Sequence, residues 1–277
     1  MRLMLWTAAV MLAFAGNSVL NRLAIRGEGM DPLAFAALRL TAGALVLLVL
    51  AKGQTGALLT GRRLVGTAGL LTYMLSFSLA YRQLDAGTGA LILFGVVQLA
   101  MFAAALRAER VPRTRMLGAV IAFAGLVWLV WPGAGARVDA AAGGAMALAG
   151  IGWAVFSLIG RRETAPLTAT AASFALAAPP AAALAIGVAV GPISATGLLL
   201  AVLSGAVTSG LGYALWYRVL PQLGTSRAAV AQLTVPPLAL GLGVVFLAER
   251  PGLVALAATA LIVFGVGLSL FRHSAER

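Results

Sequence analysis

Amides, hydroxyls and aromatic rings recur inside long apolar runs of this sequence, at spacings that put them on shared helical faces. Asn17 stands one turn before Asn21. Tyr73 and Ser76 share one run, Ser209, Tyr213 and Trp216 another, and Trp153 and Ser157 stand one turn apart. Gln98 and Gln232 each sit within a run of their own. Residues three and four apart lie over one another on a helix. Amides and hydroxyls can hold the ammonium and carboxylate of an amino acid, and aromatic faces suit an apolar or cationic portion. Tyr73, Gln98, Trp153, Asn17, Ser76, Ser157, Ser209, Tyr213 and Gln232 are therefore candidate substrate-binding residues. The same residue types also bond packed helices to one another or anchor helix ends at the bilayer interface. Trp6, Trp128, Trp131 and Tyr217 are assigned to that interfacial belt.

Arg39 is the charge that lies well inside an apolar run. Two turns from Pro32, it sits roughly 10 Å along a helix that rises 1.5 Å per residue. It can bind a substrate carboxylate through two parallel hydrogen bonds. Arginines so placed more often snorkel to the interface or pair with a nearby acid, and that is the expectation here. The eight acids, Glu28, Asp31, Asp85, Glu109, Asp139, Glu163, Glu249 and Glu276, all fall at run ends or in connections. A proton-coupled antiporter usually keeps an ionisable relay at mid-membrane. The acid positions therefore predict transport without obligatory proton exchange. Glu109 and Glu249 are read as ion-pair partners of the arginines beside them.

Catalysis has little to work with. There is no cysteine, the single histidine is His273 in the polar tail, and no serine-protease, zinc-protease or paired-aspartate motif is present. No metal or other cofactor is expected.

The runs that carry these residues decide the class. Of 277 residues 61% are hydrophobic and 10% charged, and mean hydropathy is +1.00. Soluble domains are about 45–50% apolar and about 25% charged. A soluble fold of this length cannot hide so much apolar surface, so lipid must be the solvent. The net charge of +12 does not indicate nucleic acid, because no basic patch is interleaved with stacking aromatics. The basic residues stand between apolar runs, where anionic headgroups favour them.

A span needs roughly 17–25 mostly apolar residues. Breaking the chain at charges and Pro/Gly clusters predicts ten: 3–22, 32–51, 64–82, 86–107, 114–131, 142–160, 167–188, 195–217, 225–247 and 252–271. Asp31-Pro32 reads as an N-cap with proline at the first helical position. Pro179-Pro180 and Pro236-Pro237 should kink the seventh and ninth spans. Arg2, the first run and Ala13-Phe14-Ala15 together resemble a signal peptide, but the repeat described below argues that this segment is retained.

Lys/Arg bias in short loops sets orientation. One face collects Arg2, Lys52, Arg62, Arg63, Arg107, Arg110, Arg113, Arg115, Arg161, Arg162, Arg218, Arg227, Arg272 and Arg277. The other has Arg22, Arg26, Arg39, Arg82, Arg137 and Arg250. Both termini are expected in the cytoplasm.

The two halves resemble each other. Phe14 to Arg22 matches Trp153 to Arg161 in an aromatic, a serine and a closing arginine. Tyr81-Arg82-Gln83-Leu84 matches Tyr217-Arg218-Val219-Leu220, and Ala108-Glu109-Arg110 matches Ala248-Glu249-Arg250. Ile121, Phe123 and Gly125 match Ile262, Phe264 and Gly265. These four matches keep one order at offsets of 136 to 141. The expected organisation is a five-helix repeat over 1–135 and a second over 136–277. An odd number of spans inverts the second copy, the plan of secondary transporters with a midplane site between repeats.

On the paired Ala-Glu-Arg turns, the glycine-bearing final helices and Pro236 in the helix before the second turn, the chain resembles the drug/metabolite transporter superfamily, in its ten-helix EamA-type branch. The first half has Val96 where the second has its proline. Within the branch it most resembles the YddG-like amino-acid exporters. The resemblance implies ten transmembrane helices in two inverted five-helix repeats around a central cavity. It also implies small-molecule substrates that include amino acids, aromatic ones among them. The expected protein is a multi-pass exporter or facilitator of the bacterial inner membrane, surrounded by lipid, working by alternating access. One chain supplies a complete pathway, so a monomer suffices.

Overall fold

Lipid offers backbone groups no hydrogen-bond partners, and a helix satisfies them within one segment. In the computed structural model, which describes residues 2–108, 113–131, 138–161, 163–188 and 191–271, every element is accordingly helical. They are α1 (Arg2–Arg22), α2 (Pro32–Leu50), α3 (Gly61–Ala80), α4 (Ala86–Ala108), α5 (Arg113–Val130), α6 (Ala140–Gly160), α7 (Pro166–Gly187), α8 (Ala195–Leu203), α9 (Gly212–Gln232), α10 (Val235–Leu247) and α11 (Leu253–Phe271). A π-helical turn, Leu23–Gly27, extends α1, and a longer π-helical segment, Ser204–Leu211, joins α8 to α9 without a break.

Seven helical segments are long and apolar enough to cross a bilayer. Three shorter apolar helices, Met116–Leu129, Val235–Leu247 and Leu253–Leu268, complete the ten expected segments. The fold is that of an all-α integral membrane protein. Large apolar side chains such as Leu5, Val49, Ile186, Val245, Phe246 and Phe264 stand exposed on its flanks, as lipid-facing residues do.

Starts follow the capping chemistry. The Asp31 carboxylate accepts the Leu33 N–H at 2.8 Å, with Pro32 opening α2. Thr60 caps α3, Asp139 caps α6 and Ser194 caps α8 in the same way.

The expected break between the eighth and ninth spans moves. Helix continues from Gly212 through Pro221 to Gln232, and the interruption falls at Leu233-Thr234. Pro236 and Pro237 therefore do not kink a helix interior. They stand at the start of α10, where a missing N–H is not needed. In α7 helix runs unbroken through Pro179 and Pro180.

Packing joins the halves of the chain. Helix α3 lies along α6, α2 along α7 and α5 along α11, while α1 contacts the π segment, α9 and α10. Small residues set these distances. A Cβ on Gly152 would come within 2.7 Å of the Gly69 carbonyl oxygen across the α3–α6 contact. One on Gly265 would come within 2.6 Å of the Gly118 carbonyl oxygen across α5–α11. Gly118, Ala122, Gly125 and Gly205 thus serve close approach, as small residues in membrane helices do.

Candidate functional site

Near the middle of the bundle, five helices and the π segment bring one polar and aromatic cluster together. Phe14 and Asn17 come from α1, Arg39 from α2, Tyr73 and Phe77 from α3, Trp153 from α6, Ser204, Thr208 and Ser209 from the π segment, and Tyr213 from α9. Residues 14 and 17, and 73 and 77, fall on single faces by helical spacing. The π segment adds its own register, and such segments recur at functional sites.

Arg39 departs from the sequence expectation. It neither snorkels nor pairs with an acid; its side chain is wholly buried. Nε donates to Ser209 Oγ at 3.0 Å and one terminal nitrogen donates to Tyr73 Oη at 3.1 Å. The guanidinium carbon stands 5.4 Å from the Tyr73 ring centre and 5.2 Å from that of Phe77. Among the described residues the ion pairs engage Arg22, Arg63 and Arg82, and none reaches Arg39. Tyrosine, serine and two ring faces stand where an acid would, because none of the acids among the described residues reaches Arg39.

Asn17 ties the cluster to the π segment. Its Oδ1 accepts from the hydroxyls of Ser204 at 2.9 Å, Thr208 and Ser209. Ser209 thus links Arg39 to Asn17. An aromatic box closes one side: Trp153 lies 5.1 Å, ring centre to ring centre, from both Tyr73 and Tyr213, and Phe14 stands edge-on to Trp153, Tyr213 and Trp216.

These side chains surround a void of about 10 Å³, bordered by Phe14, Asn17, Ser18, Tyr73, Phe77, Leu93, Phe94, Trp153 and Tyr213. That is room for no more than about one water. Asn17, Arg39, Tyr73, Trp153, Ser209 and Tyr213 are thus brought to one place. Ser76, Ser157, Gln98 and Gln232 do not border the void: Ser76 and Gln232 are buried elsewhere, and Gln98 and Ser157 are half-buried. Sequence reasoning passed over Phe14, Phe77, Ser204 and Thr208 as site residues. Phe77, four residues after Tyr73, was legible by spacing, but the hydroxyls needed the π register.

Both ends of the bundle are pinned. At one end meet the connections after α1, α3, α7 and α10. There Arg22 pairs with Asp85 at 3.0 Å and lies 3.6 Å from Glu249, and Arg82 pairs with Asp31 at 3.0 Å. A vestibule of about 510 Å³, bordered by Arg26, Asp31, Arg82 and Pro192 among others, opens at this end. Glu249 does not pair with the adjacent Arg250, as the sequence suggested. Ala248 takes a left-handed conformation (φ 52°), the Glu249 N–H returns to the Gly243 carbonyl at 3.2 Å, and the carboxylate folds over Gly243 to reach Ala86. Burial pushes the Glu249 carboxyl above its ordinary range, against the opposing pull of the Ala86 N–H and Arg22. Glu109, its counterpart in the first half, lies outside the described residues, as do His273 and Glu276.

At the other end Arg63, also buried, donates to the Ala169 carbonyl at 3.3 Å and pairs with Glu163 at 3.5 Å. Arg218 lies over the Trp6 ring at 4.5 Å, an arrangement suited to the interfacial belt.

Comparison with known proteins gives three findings. The model of the EamA-like transporter family matches residues 1–131 and again residues 139–271. An uncharacterized protein of Pseudomonas aeruginosa is 42% identical over 275 residues, which cover 97% of this chain and 94% of that one. A protein of known crystal structure aligns with a TM-score of 0.63 at 23% identity, over 95% of this chain and 98% of the other, a likeness of fold.

Proposed function

The chain belongs to the EamA-like transporter family, and from that premise we propose that it carries small metabolites, amino acids including aromatic ones among them, across a bacterial inner membrane by alternating access. The observation that carries this reading is the buried cluster of Arg39, Asn17, Tyr73, Trp153, Ser209 and Tyr213 around a closed void, with ion pairs pinning the bundle at both ends. A midplane site sealed on both sides is what an occluded carrier requires. The likeness to YddG-like exporters brings aromatic amino acids into the candidate set.

Two inverted five-helix repeats, 1–135 and 136–277, underlie the mechanism. The double family match supports them, as do the pairings of α2 with α7 and α5 with α11, which join corresponding helices of the two halves. Small hinge motions between repeats expose the site to each side in turn. The break at Leu233-Thr234, ahead of Pro236, is one place for such motion. The Lys/Arg bias supports cytoplasmic termini, with the vestibule facing away from the cytoplasm.

The carrier works as an exporter or facilitator without proton coupling. The acids among the described residues stand at the pinned ends or cap helices, and none borders the void. Counterflow of a labelled metabolite panel, phenylalanine included, in proteoliposomes tests the reading. Saturable exchange is expected. Linear, non-saturating flux would make it a channel, and no flux would remove the transport role.

A further inference from the structure

Three buried donors around this site lack any hydrogen-bond partner in the protein: one terminal nitrogen of Arg39, the indole Nε1 of Trp153 and the hydroxyl of Tyr213; an unpaired acceptor, Asn21 Oδ1, lies one turn along α1 from Asn17. The three donor residues are 0%, 6% and 1% exposed. The Tyr213 hydroxyl lies close to that of Tyr73 without bonding geometry. All three are donors. Trp153 and Tyr213 border the void, and Arg39 stacks on Tyr73 and Phe77, two more of its walls. A buried donor left unpaired is costly, the more so where it carries charge. A charge buried without a counter-ion is costlier still.

We propose that these donors form a cradle for a single carboxylate, and that the favoured substrates are aromatic monocarboxylates rather than zwitterionic amino acids or cations. The inference rests on the carrier reading above and ranks substrates within it. A carboxylate has two oxygens and about four acceptor sites, which match an arginine N–H, an indole N–H and a phenol. Its charge supplies the counter-ion that Arg39 lacks among the described residues. The closed void of about 10 Å³ holds about one water, so an aryl body enters only when the bundle opens, and the rings of Phe14, Trp153 and Tyr213 then suit it. An ammonium finds no acid bordering the void and meets a buried guanidinium of its own sign, so a zwitterion binds less well than its deaminated analogue.

The test uses three probes with one phenyl body: 3-phenylpropionate, phenylalanine and phenethylamine, titrated calorimetrically onto the full chain in lipid nanodiscs at pH 7.5. The carboxylate is expected to bind at least about tenfold tighter than phenylalanine, with phenethylamine weakest. Equal or tighter binding of phenylalanine or phenethylamine overturns the proposal, and so does failure of 3-phenylpropionate to bind. The ranking needs no variant, so a poorly folding Arg39 mutant cannot obscure it. Where the variants fold, Arg39→Gln should lose about tenfold or more for the carboxylate but nothing for the neutral amide 3-phenylpropionamide, and Arg39→Lys should recover part of the loss. Equal losses for acid and amide would mean a structural arginine. Counterflow with the metabolite panel separates the two failures: exchange with the wrong ranking defeats this inference alone, and absent exchange defeats the carrier.

Discussion

The two carboxylate oxygens of Glu249 lie 2.9 and 3.0 Å from the Ala86 backbone nitrogen, so a residue after α10 caps the first turn of α4. The contact spans 163 residues and joins the two halves of the chain at the end where Arg22 binds Asp85. An acid at a helix N-terminus satisfies free N–H groups and meets the positive end of the helix dipole. The glutamate of the Ala-Glu-Arg turn is therefore a long-range helix cap.

Its titration has a defined sign. Burial raises the folded-state carboxyl above its unfolded range, near 4.3 for a free glutamate. This group's contribution to stability is then fully present below the unfolded value and lost as pH rises through the folded one. Glu249→Gln does not titrate. The wild type should lose apparent Tm relative to that variant between pH 4.5 and 7.5, measured on detergent-solubilised protein. A gap that moves the other way would mean that Arg22 outweighs burial. Glu249→Ala, which removes the cap, should be destabilised by about 1 kcal/mol at pH 4.5, a gap that narrows as the pH rises to 7.5 because alanine does not titrate either.

Ala248 holds a left-handed conformation so that the Glu249 carboxylate can turn back over Gly243. For an L-residue that conformation costs roughly 1–2 kcal/mol, and glycine does not bear the cost. Ala248 is exposed, so its methyl contributes little packing. Ala248→Gly should raise the apparent Tm by a few degrees. A lowered Tm would show that the turn is stabilised by the alanine itself.

Much of the fold was legible because lipid imposes it. An apolar run long enough to cross must be a helix, and Asp31-Pro32 starts one wherever it stands. The site was legible in part. Asn17, Tyr73, Trp153 and Tyr213 stood out as polar or aromatic groups in apolar surroundings. Arg39 was read as a snorkelling or acid-paired residue because a sequence gives a charge's depth along its own helix, not what neighbouring helices offer. Ser204 and Thr208 were missed because a π-helical register shifts which side chains share a face. Gln98 and Gln232 looked equivalent to the others, yet Gln98 lies one turn along α4 beyond Phe94, which borders the void, and Gln232 ends α9 far from Tyr213.

Gly205 meets Arg39 on its backbone side. A Cβ there would collide with the Arg39 carbonyl oxygen and come within 2.8 Å of Ala42 Cβ, so α2 and the π segment would have to separate. Overpacking of this kind costs typically 1–3 kcal/mol. Gly205→Ala should lower thermal stability and weaken substrate binding together, because it displaces the Ser209–Arg39 bond. Gly241→Ala, where a Cβ meets nothing within 4 Å, is the control and should change neither. Equal behaviour of the two variants would remove the close approach from the account of how Arg39 is held.

Proton coupling is the last question that acid placement decides. Among the described residues the half-buried Glu249 is the acid with a raised pKa, and it caps a helix at the pinned end and borders no part of the void. A relay needs an ionisable group that substrate and proton can both reach in alternation. Substrate counterflow in proteoliposomes should therefore keep its rate, within about twofold, when a pH gradient of one unit is imposed and then collapsed with an ionophore. Glu249→Gln should transport as the wild type does. Proton uptake in fixed ratio to substrate, lost in Glu249→Gln, would make the cap a coupling site and reverse the energetic reading of this carrier.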